Sequence, residues 1–165
     1  MSLSPSASTL QRRVRSRGLF ALWLVAKLPA AAWCGVRLRS LERGRCVTSV
    51  PYGWRSQNPF RSTYFAAQAM AAELSTGALV LLAGEDSGVP FSTLIVDVRA
   101  TFGKKADDTA TFVCEGGDAV FAAVREAKET GEARVVALDT VGTMDDGTEV
   151  SRFTFTWSVK PRSRR

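Results

Sequence analysis

The chain contains no histidine. That absence removes Ser-His-Asp and Cys-His nucleophilic chemistry, imidazole metal sites and imidazole general bases together. Any acid, base or nucleophile must be an Asp, Glu, Lys, Tyr or Cys. The three cysteines, Cys34, Cys46 and Cys114, are far apart and form no CxxC pair. They read as small buried hydrophobes in a reducing compartment, not as zinc ligands, a redox dithiol or a disulfide framework. No metal site is expected.

One carboxylate stands apart. Between Arg61 and Glu85, Glu73 is the only charged residue, in a run of Ala, Leu, Met and Gln, the better helix formers. At about 100° per residue, Ala66, Ala69, Met70, Thr76, Gly77 and Val80 share its side of the helix, while Arg61, Tyr64, Gln68 and Ser75 lie nearly opposite. A glutamate on the apolar side of an uncharged helix needs a physical cause, because carboxylates are rarely buried without a partner. Two readings fit. Glu73 pairs with an arginine such as Arg99 or rims an interface; or it stands in an apolar cleft, where desolvation raises its pKa and makes it a useful base or nucleophile. The alanines around it and Gly77 leave little side-chain bulk, so a ligand could approach the backbone closely.

The elements that must hold this helix follow from pattern. Residues 1–9 are Ser-rich and read as a disordered tail. Residues 10–35 read as an N-terminal helical extension: a helix from Leu10 to Lys27, stopped near Pro29, then a short turn through Trp33. Residues 36–162 read as one α+β domain. Its strands are expected at Arg37–Leu41, Arg45–Tyr52, Phe91–Phe102, Thr109–Cys114, Arg134–Thr143 and Glu149–Lys160, the last two as a hairpin around Asp145-Asp146-Gly147. The long helix is expected at about residues 61–83, ending at Gly84 before Pro90, and a shorter amphipathic one at Asp118–Thr130. In Phe91–Phe102 the alternate residues Leu94, Val96, Val98, Ala100 and Phe102 form an apolar face, as in a half-buried strand. A curved antiparallel sheet wrapped around the apolar helix is the simplest packing of these parts.

Charge is uneven. Residues 1–45 hold nine Lys or Arg and one acid, Glu42, whereas the remainder holds 13 basic and 15 acidic residues. The basic arm suits either a solvated surface or contact with a membrane surface or polyanion. Its aromatic residues do not interleave with the basic ones and no nucleic-acid motif is present, so no nucleic-acid partner is expected. Arg12 to Arg17, Leu19 to Ala26 and Ala30 to Ala32 are similar to the three regions of a signal peptide, but Lys27 and Pro29 interrupt the apolar stretch. An amphipathic helix packed on the domain or lying on a membrane fits better, and a cytoplasmic location is expected.

The stretch Asn58 to Gly77 resembles the acyl-CoA thioesterases of the hotdog superfamily, particularly the phenylacetyl-CoA type. There, an Asn is followed six residues later by HGG and fifteen residues later by a catalytic Asp. Here Asn58 is followed by Tyr64-Phe65-Ala66 and by Glu73 at those spacings. The hydroxybenzoyl-CoA type uses Glu at that helix position. Val96 to Ala106 is similar to the superfamily's strand ending in Phe, a basic residue and a small one. An uncharacterised hotdog family shares the NPF and YFAAQAMAAELSTG segments and a TWSVK-like final strand, a likeness over Leu19 to Lys160.

The resemblance implies a hotdog fold and hydrolysis of an acyl-CoA or other acyl thioester, with coenzyme A thioester as substrate or ligand and no other cofactor. Backbone N–H groups of Tyr64, Phe65 and Ala66 would face the thioester oxygen, Glu73 would activate water or attack the carbonyl, and Asn58 would orient carbonyl or water. Phe60, Arg61, Thr76 and Gly77 would contact substrate. Lys104 and Lys105 would meet coenzyme A phosphates or else serve only as turn residues. The tripeptide YFA replaces HGG, and the threonine four residues after the hydroxybenzoyl-type glutamate is here Gly77, with Thr76 one position earlier. A homo-oligomer, dimer or tetramer, is implied, with sites between subunits. The alternative is a non-catalytic acyl-thioester or lipid-binding hotdog module, membrane-associated through its N-terminal helix.

Overall fold

The structure, a computed structural model, describes residues 3–162. It is an α+β arrangement in which a long helix lies against one antiparallel sheet. In chain order the elements are α1 (Pro5–Arg15), α2 (Arg17–Lys27), α3 (Pro29–Trp33), β1 (Arg37–Leu41), β2 (Cys46–Val50), α4 (Phe65–Ser87), β3 (Phe91–Phe102), β4 (Ala110–Cys114), α5 (Gly117–Thr130), β5 (Arg134–Thr143) and β6 (Glu149–Pro161). The strands run in the order β1-β2-β4-β5-β6-β3, every neighbouring pair antiparallel. β1 and β3 are therefore the two open edges.

The N-terminal tail departs from expectation. The chain is helical from Pro5, because Ser4 caps the helix by accepting from Ala7 N and Pro5 presets its first turn. Ala7 is fully buried and Ser4 N donates to Asp86 at the far end of α4, so the segment is tied down and not a loose tail. Residues 1 and 2 lie outside the described residues. The single helix expected over residues 10–27 is two, broken at Ser16, whose backbone is extended.

α4 also shifts. It begins at Phe65, not Arg61, because Arg61 adopts a left-handed φ of 58° and Tyr64 is extended. It runs past Gly84 to Ser87 and ends on Gly88, whose φ of 71° supplies the left-handed cap that glycine tolerates best. The side turned to the sheet is the one carrying Gln68, Ala71, Ala72, Ser75, Leu79 and Leu82, all buried. Its polar members are satisfied across the interface. Ser75 Oγ donates to Thr140 Oγ1 at 2.8 Å, Ser151 Oγ to Gln68 Oε1 at 2.7 Å, and Thr48 Oγ1 to the Ala71 carbonyl at 2.6 Å. The polar edge read from sequence is thus the buried seam, where three hydrogen bonds fix the helix on the sheet. Against it pack Phe112, Phe153, Leu138 and Val150 of the core.

β3 spans the expected residues, but the single apolar face read from sequence does not form. The strand pairs on one side only, with β6, and a bulge at Val96 breaks the alternation, so Leu94 shares the outer side with Ser158 while Val98 shares the inner side with Phe155. Leu94 is 64% exposed and Val98 49%, with Val96 and Phe102 close to these values. Among the described residues nothing covers this edge.

Candidate active site around Glu73

Glu73 sits in the middle of α4 on the side turned away from the buried seam. It is half-buried beside Ala66, Ala69 and Met70, which are also half-buried. Its carboxyl bends along the helix toward Gly77 and the Trp157 ring of β6. A Cβ placed on Gly77 would lie 2.9 Å from Glu73 Oε1 and 3.4 Å from the indole. The absence of that carbon is what makes room for the carboxyl. Among the described residues no side chain or backbone group donates a hydrogen bond to this carboxylate, and no basic side chain pairs with it. Arg99, the partner considered from sequence, bonds Asp97 instead, with Nε 3.2 Å from Oδ2. Desolvation without compensation pushes the Glu73 pKa above the ordinary carboxylate value.

Trp157 and Thr76 complete this cluster. The indole N–H donates to Thr76 Oγ1 at 3.0 Å, and that hydroxyl donates to the Glu73 carbonyl at 3.0 Å. Thr76 is fully buried, so its hydroxyl fixes Trp157 and the helix beside Glu73. The alternation of β6 puts Trp157 with Phe153, Phe155 and Val159 on its inward side. What the sequence could not supply is the helix turn that it meets.

A second group gathers at the start of α4. Asn58 Oδ1 accepts from Phe60 N at 2.9 Å and Ser62 N at 3.3 Å, so its side-chain carbonyl shapes the loop leading to the helix. The loop after β3 closes onto that loop. Lys105 Nζ donates to the Phe60 carbonyl at 3.1 Å, Ala106 N to Ser62 Oγ, and Thr63 N to the Ala106 carbonyl. Lys104 and Lys105 therefore stand beside Phe60 and the α4 entrance, both exposed. Tyr64, the N-cap residue, provides no side-chain cap. Of the three expected backbone donors Tyr64 is spent, because its N–H donates to the Ser56 carbonyl at 2.7 Å; the first-turn N–H groups of Phe65 and Ala66, which have no intrahelical partner, are left for another acceptor. Phe65 meets Tyr64 and Phe102 edge-on, at ring separations of 4.8 and 6.5 Å, and Phe102 continues onto Phe153 at 5.6 Å. Phe60, Arg61, Tyr64 and Phe65 are all exposed. Phe102 joins this group unexpectedly; its signal in the sequence is a strand-end phenylalanine next to the basic pair Lys104 and Lys105.

The expected site residues thus fall into two groups on one helix. Asn58, Phe60, Arg61, Tyr64, Phe65, Ala66, Lys104 and Lys105 cluster at its N-terminal end, and Glu73, Thr76 and Gly77 lie two turns further on. Glu73 lies eight positions after Phe65, which is about 12 Å along a helix axis. The described residues contain no group of three or more Cys, Asp or Glu side chains able to hold a metal ion.

An antiparallel sheet with a long helix across it is the hotdog arrangement, and solved structures of that class match this chain. A Pseudomonas aeruginosa protein of unknown function, described as a probable thioesterase, matches with a TM-score of 0.75 at 23% identity, covering 87% of this chain and 95% of its own. A Haemophilus influenzae thioesterase matches with a TM-score of 0.64 at 10% identity over 88% and 91% of the two chains. The PaaI protein of the E. coli phenylacetic acid degradation operon matches with a TM-score of 0.60 at 12% identity over 93% and 96%. No curated protein matches the sequence. The family described as a domain of unknown function, DUF4442, matches residues 16–159, and the chain belongs to that family.

Proposed function

We propose that this protein hydrolyses an acyl thioester, with an acyl-CoA as the substrate class. The observation that carries the reading is the unpartnered Glu73 carboxyl, held against Gly77 and Trp157 on the central helix of a thioesterase-like fold. Ionised Glu73 would take a proton from water as the oxygen attacks the thioester carbonyl. Collapse of the tetrahedral intermediate then breaks the C–S bond, and the thiolate leaves and is protonated. Such general-base help is worth about 10²–10⁴-fold. The free N–H groups at Phe65 and Ala66, with the helix dipole behind them, suit the oxyanion. Asn58, through its loop, would hold the helix entrance in place. Lys104 and Lys105 are near enough to Phe60 and Arg61 to meet coenzyme A phosphates at the same mouth.

This chemistry needs two chains. A carbonyl bound at one helix N-terminus lies about 12 Å along the axis from the same chain's Glu73, whereas reacting atoms must approach to about 3–3.5 Å. A second copy pairing along the open β3 edge would cover exposed apolar residues on both sides of that strand, Leu94 on one and Val98 on the other, and bring its own helix to Glu73. The site would then combine one chain's carboxylate with the partner chain's N–H groups. The test is a panel of acyl-CoAs offered to the purified protein with free thiol monitored, beside Glu73→Ala. Turnover lost in Glu73→Ala supports the assignment; equal turnover in both removes Glu73 from it.

A second reading, an acyl-thioester or lipid-binding module at a membrane surface, is favoured by α2 alone. Leu19, Leu22 and Val25 are exposed there, Leu22 at 70%. Leu22→Glu with Val25→Glu should release the protein from anionic liposomes if that face docks, and unchanged association would count against it. The free thiols Cys34, Cys46 and Cys114 suit a reducing, cytoplasmic setting.

A further inference from the structure

A cleft of about 420 Å³ opens between α2 and β1, at the opposite edge of the sheet from β3. Its size is that of a small-molecule site. The walls are apolar: Phe20, Leu24 and Val25 come from α2, and Val36 and Leu38 from the strand and the residue before it. The polar part is of one sign. Arg37, Arg39 and Arg55 all line the cleft, and among the described residues no Asp or Glu does.

The arginines are placed by local structure. Gly35, with φ of 78°, turns the chain from α3 into β1, and the Arg55 Nη2 comes within 3.7 Å of the position a Cβ there would take. Arg55 also stands over the Trp33 ring, at 6.0 Å from its centroid. Arg39 Nε donates to Ser49 Oγ at 2.7 Å, which leaves its terminal nitrogens free to serve the cleft. Among the described residues none of the three makes a salt bridge, whereas Arg43, Arg45, Arg99, Arg134 and Arg152 each do. Three exposed arginines gathered beside apolar walls offer a site to an anion from outside, and guanidinium suits carboxylate and phosphate alike.

We propose that this cleft binds a single-chain amphiphile, an alkyl tail between α2 and β1 with an anionic carboxylate or phosphate head on Arg37, Arg39 and Arg55. The site is separate from Glu73 and independent of the hydrolytic reading. A copy pairing along β3 would leave it open. The same head chemistry could come from a free fatty acid or from a lipid within a bilayer, and the test separates the two.

The probe is dodecanoate below its micelle concentration, titrated calorimetrically into the full-length chain, with acetate and dodecanol as head-only and tail-only controls. One dodecanoate per chain is expected, with neither control matching it. Arg37→Glu with Arg55→Glu, both exposed positions, should weaken binding at least about tenfold, since losing one charged hydrogen bond suffices for that. Arg37→Lys with Arg55→Lys should restore much of it. Ala21→Trp fills the cleft from an exposed helix position without altering charge and should also abolish binding, which guards against a folding failure in the charge-reversal variant. Glu73→Gln should bind as the parent does. The proposal is overturned by absent saturable binding, by equal binding of dodecanol, by indifference to both the arginine and Ala21 variants, or by loss in Glu73→Gln alone. Uptake by anionic vesicles without binding of soluble dodecanoate would also overturn it, and would make this surface a bilayer contact.

Discussion

The Glu73 carboxyl occupies the space that a side chain on Gly77 would fill: a Cβ there would lie 2.9 Å from Glu73 Oε1. A glycine within a helix costs about 1 kcal/mol relative to alanine, so Gly77→Ala should gain helix propensity while pushing the carboxyl aside. The expected result is an intact fold with thiol release lowered about 10²-fold, the scale on which small misplacements act. Circular dichroism and the thioesterase assay together check it. Full activity in Gly77→Ala would mean that the observed carboxyl position is not the working one.

Burial raises the Glu73 pKa, so the folded state favours its protonated form. Its contribution to stability is complete below the unfolded carboxylate value, about 4.3, and is lost as pH rises through the higher folded value. Glu73→Gln should therefore raise Tm at neutral pH, with a gain that shrinks toward zero in acid. Thermal melts at the two pH values read this directly. A Tm that falls at neutral pH would reveal a stabilising partner for the carboxylate.

Thr63, one residue before the N-cap of α4, has a buried hydroxyl that finds no partner among the described residues. A buried unsatisfied polar atom costs about 1–3 kcal/mol. Thr63→Val keeps the volume and removes the hydroxyl, and should stabilise the protein by about 1 kcal/mol in a denaturant titration. A loss of similar size would mean that the hydroxyl is in use.

The open β3 edge makes the assembly testable by itself. Leu94→Lys with Val98→Lys places two charges on exposed positions, so one chain should tolerate them. Light scattering should show the parent as a dimer or larger and the variant as a monomer, with hydrolysis lost alongside. A monomeric parent that hydrolyses acyl-CoA at full rate would contradict a site shared between chains.

Most of the architecture was legible because the strands alternate and α4 is so poor in charge. The strands Arg37–Leu41, Phe91–Phe102 and Arg134–Thr143 formed as read, and Glu73 lies on α4 as expected. The misreadings have physical causes. Gln68 and Ser75 look like a solvent edge in one dimension, yet Ser151 and Thr140 satisfy them inside the molecule. Residues 5–9 look like a tail because no propensity scale registers that Asp86, far along the chain, will hold Ser4 N. The apolar alternation in β3 reads as one half-buried face, but the bulge at Val96 puts Leu94 and Val98 on opposite sides, and both are exposed at the sheet edge. Trp157 could not be tied to Glu73 from sequence, since strand and helix meet there only through the fold.

The central claim is that Glu73 acts as the base for thioester hydrolysis. The most direct measurement is the pH dependence of kcat/KM for thiol release from an acyl-CoA, in the parent and in Glu73→Gln. The account predicts that the parent rate falls on acidification with an apparent pKa raised above that of a solvated glutamate, and that Glu73→Gln is slower by about 10²–10⁴-fold without that acid limb. A Glu73→Gln variant that keeps both the rate and the acid limb would contradict it.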